Sequence, residues 1–149
     1  MNIRHLLLIF VTTPAAWLPT PGGAEGLPIV QLRADELVWA QTPAGLQQAT
    51  LVGDPGKAGL YVMRGKLPPG FRIPPHSHPD ERVVTVLSGT LCLGFGDQFD
   101  EARLKALPSG SLWTEPGGRP HFVWARDGEV IFQVNGMGPT ATVPIPGKP

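Results

Sequence analysis

His76 and His78 stand one residue apart in residues 70–89, GFRIPPHSHPDERVVTVLSG. A β-strand turns alternate side chains to the same face, so the two imidazoles can point at one ion. Imidazole nitrogen serves zinc, iron, copper, nickel and manganese alike, so the pair indicates a metal without naming it. Two histidines do not fill a coordination sphere. A third, His121, closes residues 110–121, GSLWTEPGGRPH, where a turn-rich PGGRP segment delivers it to the apolar run Phe122-Val123-Trp124. Of the four histidines in the chain, only His5 lies outside these two stretches.

The elements that must position them read as short strands. Leu60 to Leu67 alternates as a half-buried strand, and Leu67-Pro68-Pro69-Gly70 stops it. Val83-Val84-Thr85-Val86-Leu87 is β-branched and apolar, a strand covered on both faces. Ser88-Gly89 turns, and residues 90–95 return as its partner. Residues 111–115 and 121–125 form the next pair around PGGRP, and Arg126-Asp127-Gly128-Glu129 leads to a strand over 130–134. Ile29-Val30-Gln31-Leu32 is expected as an edge strand, residues 34–39 as a helical turn or irregular, residues 49–54 and 102–107 as strands, and the proline-rich tail from Gly138 as surface drape. Glycine (19) and proline (18) make about a quarter of the chain, yet they sit between apolar runs in a sequence 42% hydrophobic, which is turn chemistry and not disorder. Many short strands closely punctuated by turns indicate an all-β sandwich or barrel.

At 149 residues the chain is sized for one core. Residues 1–24 carry the pattern of an export signal: a positive start at Arg4, an apolar centre from Leu6 to Val11, and a small-residue exit at Gly22-Gly23-Ala24. The apolar centre is too short to span a bilayer. Removing the segment loses one Arg and no acid, leaving eleven bases against twelve acids, a charge of −1. The expected location is periplasmic or secreted, with no membrane attachment after cleavage. No basic patch marks a nucleic-acid partner. Cys92 is the only cysteine, which excludes an intramolecular disulfide, and its apolar strand reads as a buried structural thiol.

The two histidine stretches resemble the paired motifs of the cupin superfamily, G-x5-H-x-H-x3,4-E-x6-G and G-x5-P-x-G-x2-H-x3-N. Gly70, His76, His78 and Gly89 match the first. Gly110, Pro116, Gly118 and His121 match the second without a gap. The resemblance spans residues 70–125 and implies a single-domain jelly-roll β-barrel over 25–149. It also implies one divalent metal ion, with iron or manganese favoured over zinc, nickel or copper, held on His76, His78 and His121.

Two positions depart from that pattern. The glutamate position holds Arg82, with Glu81 one place early, and Ala125 replaces the usual asparagine. In one reading the centre has three histidine ligands and open positions, and Arg82 acts beside the metal by gripping an anionic substrate. In the other, a bulge turns Glu81 to the metal as a fourth ligand and Arg82 swings to solvent. In a third, the loss of the glutamate weakens metal binding altogether. The resemblance implies a metal-dependent oxidoreductase, dioxygenase-like, acting on a small anionic molecule. The alternative is a non-catalytic periplasmic module that binds a small ligand or metal. Phe71, Trp113, Phe122 and Trp124 are the candidates to line an apolar mouth, and a homodimer is the expected assembly.

Overall fold

The computed structural model describes residues 26–146, so the export signal expected over 1–24 lies outside the described residues. The described residues form eleven strands: β1 (Ala40–Gln41), β2 (Gln47–Val52), β3 (Gly59–Leu67), β4 (Arg72–Ser77), β5 (Arg82–Ser88), β6 (Thr90–Phe95), β7 (Lys105–Pro108), β8 (Leu112–Glu115), β9 (His121–Trp124), β10 (Val130–Gly138) and β11 (Val143–Pro144). Two antiparallel sheets result, a six-stranded one in the order β1-β2-β3-β10-β5-β8 and a five-stranded one in the order β11-β4-β9-β6-β7. This is the all-β architecture that the strand pattern implies and the jelly roll that the motif resemblance implies.

Period-two alternation puts one row of each strand inside. Along β3, Tyr61, Met63 and Leu67 are buried, and along β5, Val84 and Val86 join them. From β6, β8 and β10, Leu91, Leu93, Trp113, Val130 and Val134 complete the core between the sheets. Burial of this apolar surface, at about 25 cal/mol per Å², is the main force closing the barrel.

Residues 83–87 and 90–95 do not pair as the sequence reading expects, nor do residues 111–115 and 121–125: each couple divides between the two sheets. Three segments differ as well. Ile29 to Leu32 forms no strand, and Ile29 is 96% exposed; an apolar β-branched run needs a ladder partner, and none is adjacent to it. Residues 34–36 form the expected helical turn, of 3-10 type, but a second such turn at Glu101–Arg103 replaces the start of the strand expected from 102; there the Asp100 side chain accepts from the Ala102 amide. That cap delays the next strand to Lys105. The tail does more than drape: β11 pairs with β4, Val143 opposite Ser77 and Pro144 opposite His76.

Candidate metal centre

The three histidines arrive by different routes on the five-stranded sheet. His76 lies near the end of β4, where a register shift between Ile73 and His76 accommodates Pro74 and Pro75. Proline cannot donate to a ladder, so a bulge is where two of them fit. His121 opens β9 and is the direct cross-strand partner of His76. His78 lies just past β4, and its carbonyl accepts from the Gly118 amide at 2.7 Å, joining the two motifs. Gly118 has φ +72°, and a Cβ on Gly117 would stand 2.9 Å from the Pro79 carbonyl oxygen, so this turn requires both glycines.

All three imidazoles are buried, and each offers a nitrogen within 4.8 Å of the others. Each Nδ1 faces a backbone carbonyl: His76 that of Pro74 at 2.8 Å, His78 that of Ala141 at 2.7 Å, His121 that of Arg119 at 3.2 Å. A carbonyl only accepts, so each Nδ1 carries a proton; in His76 and His78 Nε2 then keeps its lone pair, the tautomer a metal ligand needs. Burial first, then the neighbouring His121, pushes His76 down to about 4. Burial and the Arg82 charge do the same to His78, again to about 4. Both are therefore neutral at pH 7 and need release no proton to bind a cation.

The other sheet contributes an ion pair. Arg82 of β5 stands directly across from Glu115 of β8, and both side chains point inward. Arg82 donates through Nε to Glu115 Oε2 at 2.8 Å, and its Nη2 donates to the same oxygen. Trp113 Nε1 donates to Glu115 Oε1 at 3.0 Å. Glu115 Oε1 lies 3.3 Å from His121 Nε2, and Oε2 lies 3.9 Å from His78 Nε2. Burial pushes the Glu115 carboxyl up, but His121 and the Arg82 charge outweigh it and hold the group below the usual carboxylate range.

The sequence-predicted residues thus divide. His76, His78 and His121 come together. Glu81 does not join them: it is exposed, one place before β5, and the β5–β8 register runs from Arg82 to Thr85 without a shift. With no bulge, alternation that sends Arg82 inward sends Glu81 outward. Arg82 is at the site but is engaged by Glu115, not left free as an anion clamp. Sequence reasoning missed Glu115. The available signal was its spacing of two from Trp113 on a short strand, which puts both on one face.

A cavity of about 430 Å³ opens above the centre. His76, His78, His121, Arg82 and Glu115 form its polar end, and Met63, Ile73, Leu91, Val123 and Phe132 are among its apolar walls. Of the four aromatic candidates for the mouth, only Trp113 lines it. Phe122 is fully buried and stacks on Phe99, its ring centroid 4.9 Å away. Trp124 carries the Arg72 guanidinium 3.9 Å from its ring centre, and Phe71 packs against the core from a half-buried position.

The family model described as a cupin domain matches residues 63–134, from β3 into β10, and takes in all three histidines. The chain belongs to the cupin superfamily. Among curated relatives, this cupin is 32% identical over 103 residues to germin-like protein 1-2 of Oryza sativa subsp. japonica, covering 65% of this chain and 46% of that protein. It is 33% identical over 132 residues to an auxin-binding protein of Prunus persica, covering 83% of this chain and 56% of that protein. The chain therefore spans about half the length of these relatives. The polyketide cyclase RemF from Streptomyces resistomycificus superposes with a TM-score of 0.68 at 17% identity, covering 81% of this chain and 88% of that one. An RmlC-like cupin from Shewanella frigidimarina superposes at 0.60 and 15% identity, covering 75% and 94%.

The donor set of this cupin fits a divalent metal. His78 Nε2 is buried with no hydrogen-bond partner, a costly orphan unless a cation takes its lone pair. Three imidazoles suit borderline divalent ions, and their carbonyl tethers hold the rings in place before any ion arrives.

Proposed function

We propose that this cupin holds one divalent ion, iron or manganese first, on His76, His78 and His121, and is a dioxygenase-like oxidoreductase acting on a small anionic molecule. The observation that carries the reading is the convergence of three buried, carbonyl-tethered imidazoles within 4.8 Å at the floor of a largely apolar cavity. When bound, a redox-active ion there supplies open positions for a bidentate small molecule. The protein's own groups set what enters. The apolar walls exclude water and favour a compact organic body. Arg82 and Glu115 neutralise one another and imidazole ligands carry no negative charge, so the ion's charge stands uncompensated and favours an anion. Attraction to an anion therefore comes from the whole centre, not from Arg82 alone.

A second reading, a barrel that binds a small molecule without turning it over, draws on the Prunus persica relative, whose name describes binding. Elemental analysis of the purified protein with anaerobic iron reconstitution, then oxygen uptake with small carboxylates, thiols and diketones, separates the two. Stoichiometric iron or manganese with substrate-dependent uptake supports the oxidoreductase. Metal and ligand affinity without turnover supports the binding module, and no metal under any loading overturns the oxidoreductase and leaves only the binding barrel.

A further inference from the structure

We propose that Glu115 of β8 is the carboxylate ligand of this centre, supplied from the strand beside the one that carries Arg82. The proposal rests on the metal reading above and adds a residue that the paired motifs do not contain. Arg82 and Glu115 are directly opposed across the β5–β8 ladder, with side chains on the same inner face. Opposed side chains sit about 5 Å apart at Cβ, so a carboxylate reaching inward from position 115 can serve the volume that one at position 82 would.

The distances agree. Ligand atoms at about 2.0–2.2 Å from one ion stand about 3.0–3.5 Å apart when adjacent in its sphere. Glu115 Oε1 lies 3.3 Å from His121 Nε2, inside that interval, and Oε2 lies 3.9 Å from His78 Nε2. The electrostatics agree as well. With its Nδ1 proton turned to the Ala141 carbonyl, His78 Nε2 presents a lone pair toward the anionic Oε2, an arrangement that repels unless a cation stands between them. His78 Nε2 has no other partner.

Arg82 is then a positioning residue. Its two donors to Oε2 and the Trp113 indole on Oε1 fix the carboxylate plane. Its positive charge offsets that of the carboxylate, so the loaded centre stays more electrophilic than three histidines and an unpaired carboxylate would make it.

The test compares wild type, Glu115→Gln, the exchange Arg82→Glu/Glu115→Arg, and His121→Ala. Each is read by chelator-competition affinity for manganese and zinc and by the visible spectrum of the cobalt(II)-loaded protein. Glu115→Gln keeps the side chain's shape and is expected to weaken affinity more than about tenfold, the lower bound for losing even an outer partner of a ligand. Its cobalt spectrum should change band position and intensity. The exchange returns a carboxylate to β5 and should recover most of the lost affinity. Wild-type affinity with an unchanged cobalt spectrum in Glu115→Gln overturns the proposal while leaving the three-histidine centre intact. Absence of metal from wild type as well overturns the centre itself. If Glu115→Gln does not fold, Glu115→Asp is scored by the same two readouts: it keeps the charge but shortens the reach, and unchanged binding and spectrum there count against ligation.

Discussion

Replacing Arg82 with Met keeps an unbranched apolar stem while removing the guanidinium and its charge. In the metal-free protein this strands the Glu115 carboxylate between the sheets, where both side chains of the pair are only 6% exposed. Removing one partner of a buried pair costs about 3–5 kcal/mol, because the remaining charge is left desolvated. Glu115 retains the Trp113 indole donor at 3.0 Å, which places the expectation near the lower end, about 3 kcal/mol. For a domain of this size that is a fall in Tm of roughly 10 °C. The assay is urea unfolding of chelator-treated protein at neutral pH, in a cycle with Glu115→Gln and the double variant. The double variant should be less destabilised than the sum of the singles, since it leaves no unpaired charge. Acid should narrow the gap between Arg82→Met and wild type. Glu115 is held below the usual carboxylate range by its partners, so wild type loses the pair's contribution as pH falls, while the stranded carboxyl in the variant protonates earlier. A cost under about 1 kcal/mol, typical of an exposed ion pair, would refute the claim that burial governs this pair.

Two further expectations follow from the histidines and their tethers. His76 and His78 are held at about 4, below their unfolded value, so the unfolded chain binds more protons between pH 6.5 and 4. Metal-free stability should therefore fall with pH across that window, by about 1.4 kcal/mol per histidine for each unit of separation; urea midpoints that stay level from pH 7 to 4 would contradict this. Ending the chain at residue 138 removes β11 and the Ala141 carbonyl that orients His78, and should weaken metal affinity about 10–100-fold in chelator competition. A truncated chain that binds as the full one does would show that the tail merely covers the surface.

The histidines were legible because their information is local. His76 and His78 are two residues apart, and His121 follows a turn whose glycines and prolines announce it. The strands over 60–67, 83–87 and 90–95 were legible for a similar reason, since alternation and Gly/Pro punctuation are properties of neighbouring residues. But β5 is covered on one face and not on both, with Val83 and Leu87 exposed. Ile29 to Leu32 had strand composition but no ladder partner. The tail from Gly138 had the composition of a surface segment, yet β4 gave it a partner and His78 a use for its carbonyl.

The sequence by itself therefore determined that this is an all-β cupin and that three histidines share one site, because each rests on short-range spacing and periodicity. Only the tertiary structure decided the fate of the acids. Glu81 and Arg82 differ by one residue, and which of them faces inward depends on whether β5 runs past β8 without a bulge. Glu115 enters the site only because that register sets it against Arg82, a residue 33 positions earlier. Register between distant strands is set by how the whole barrel buries its faces, and no local run of residues contains it.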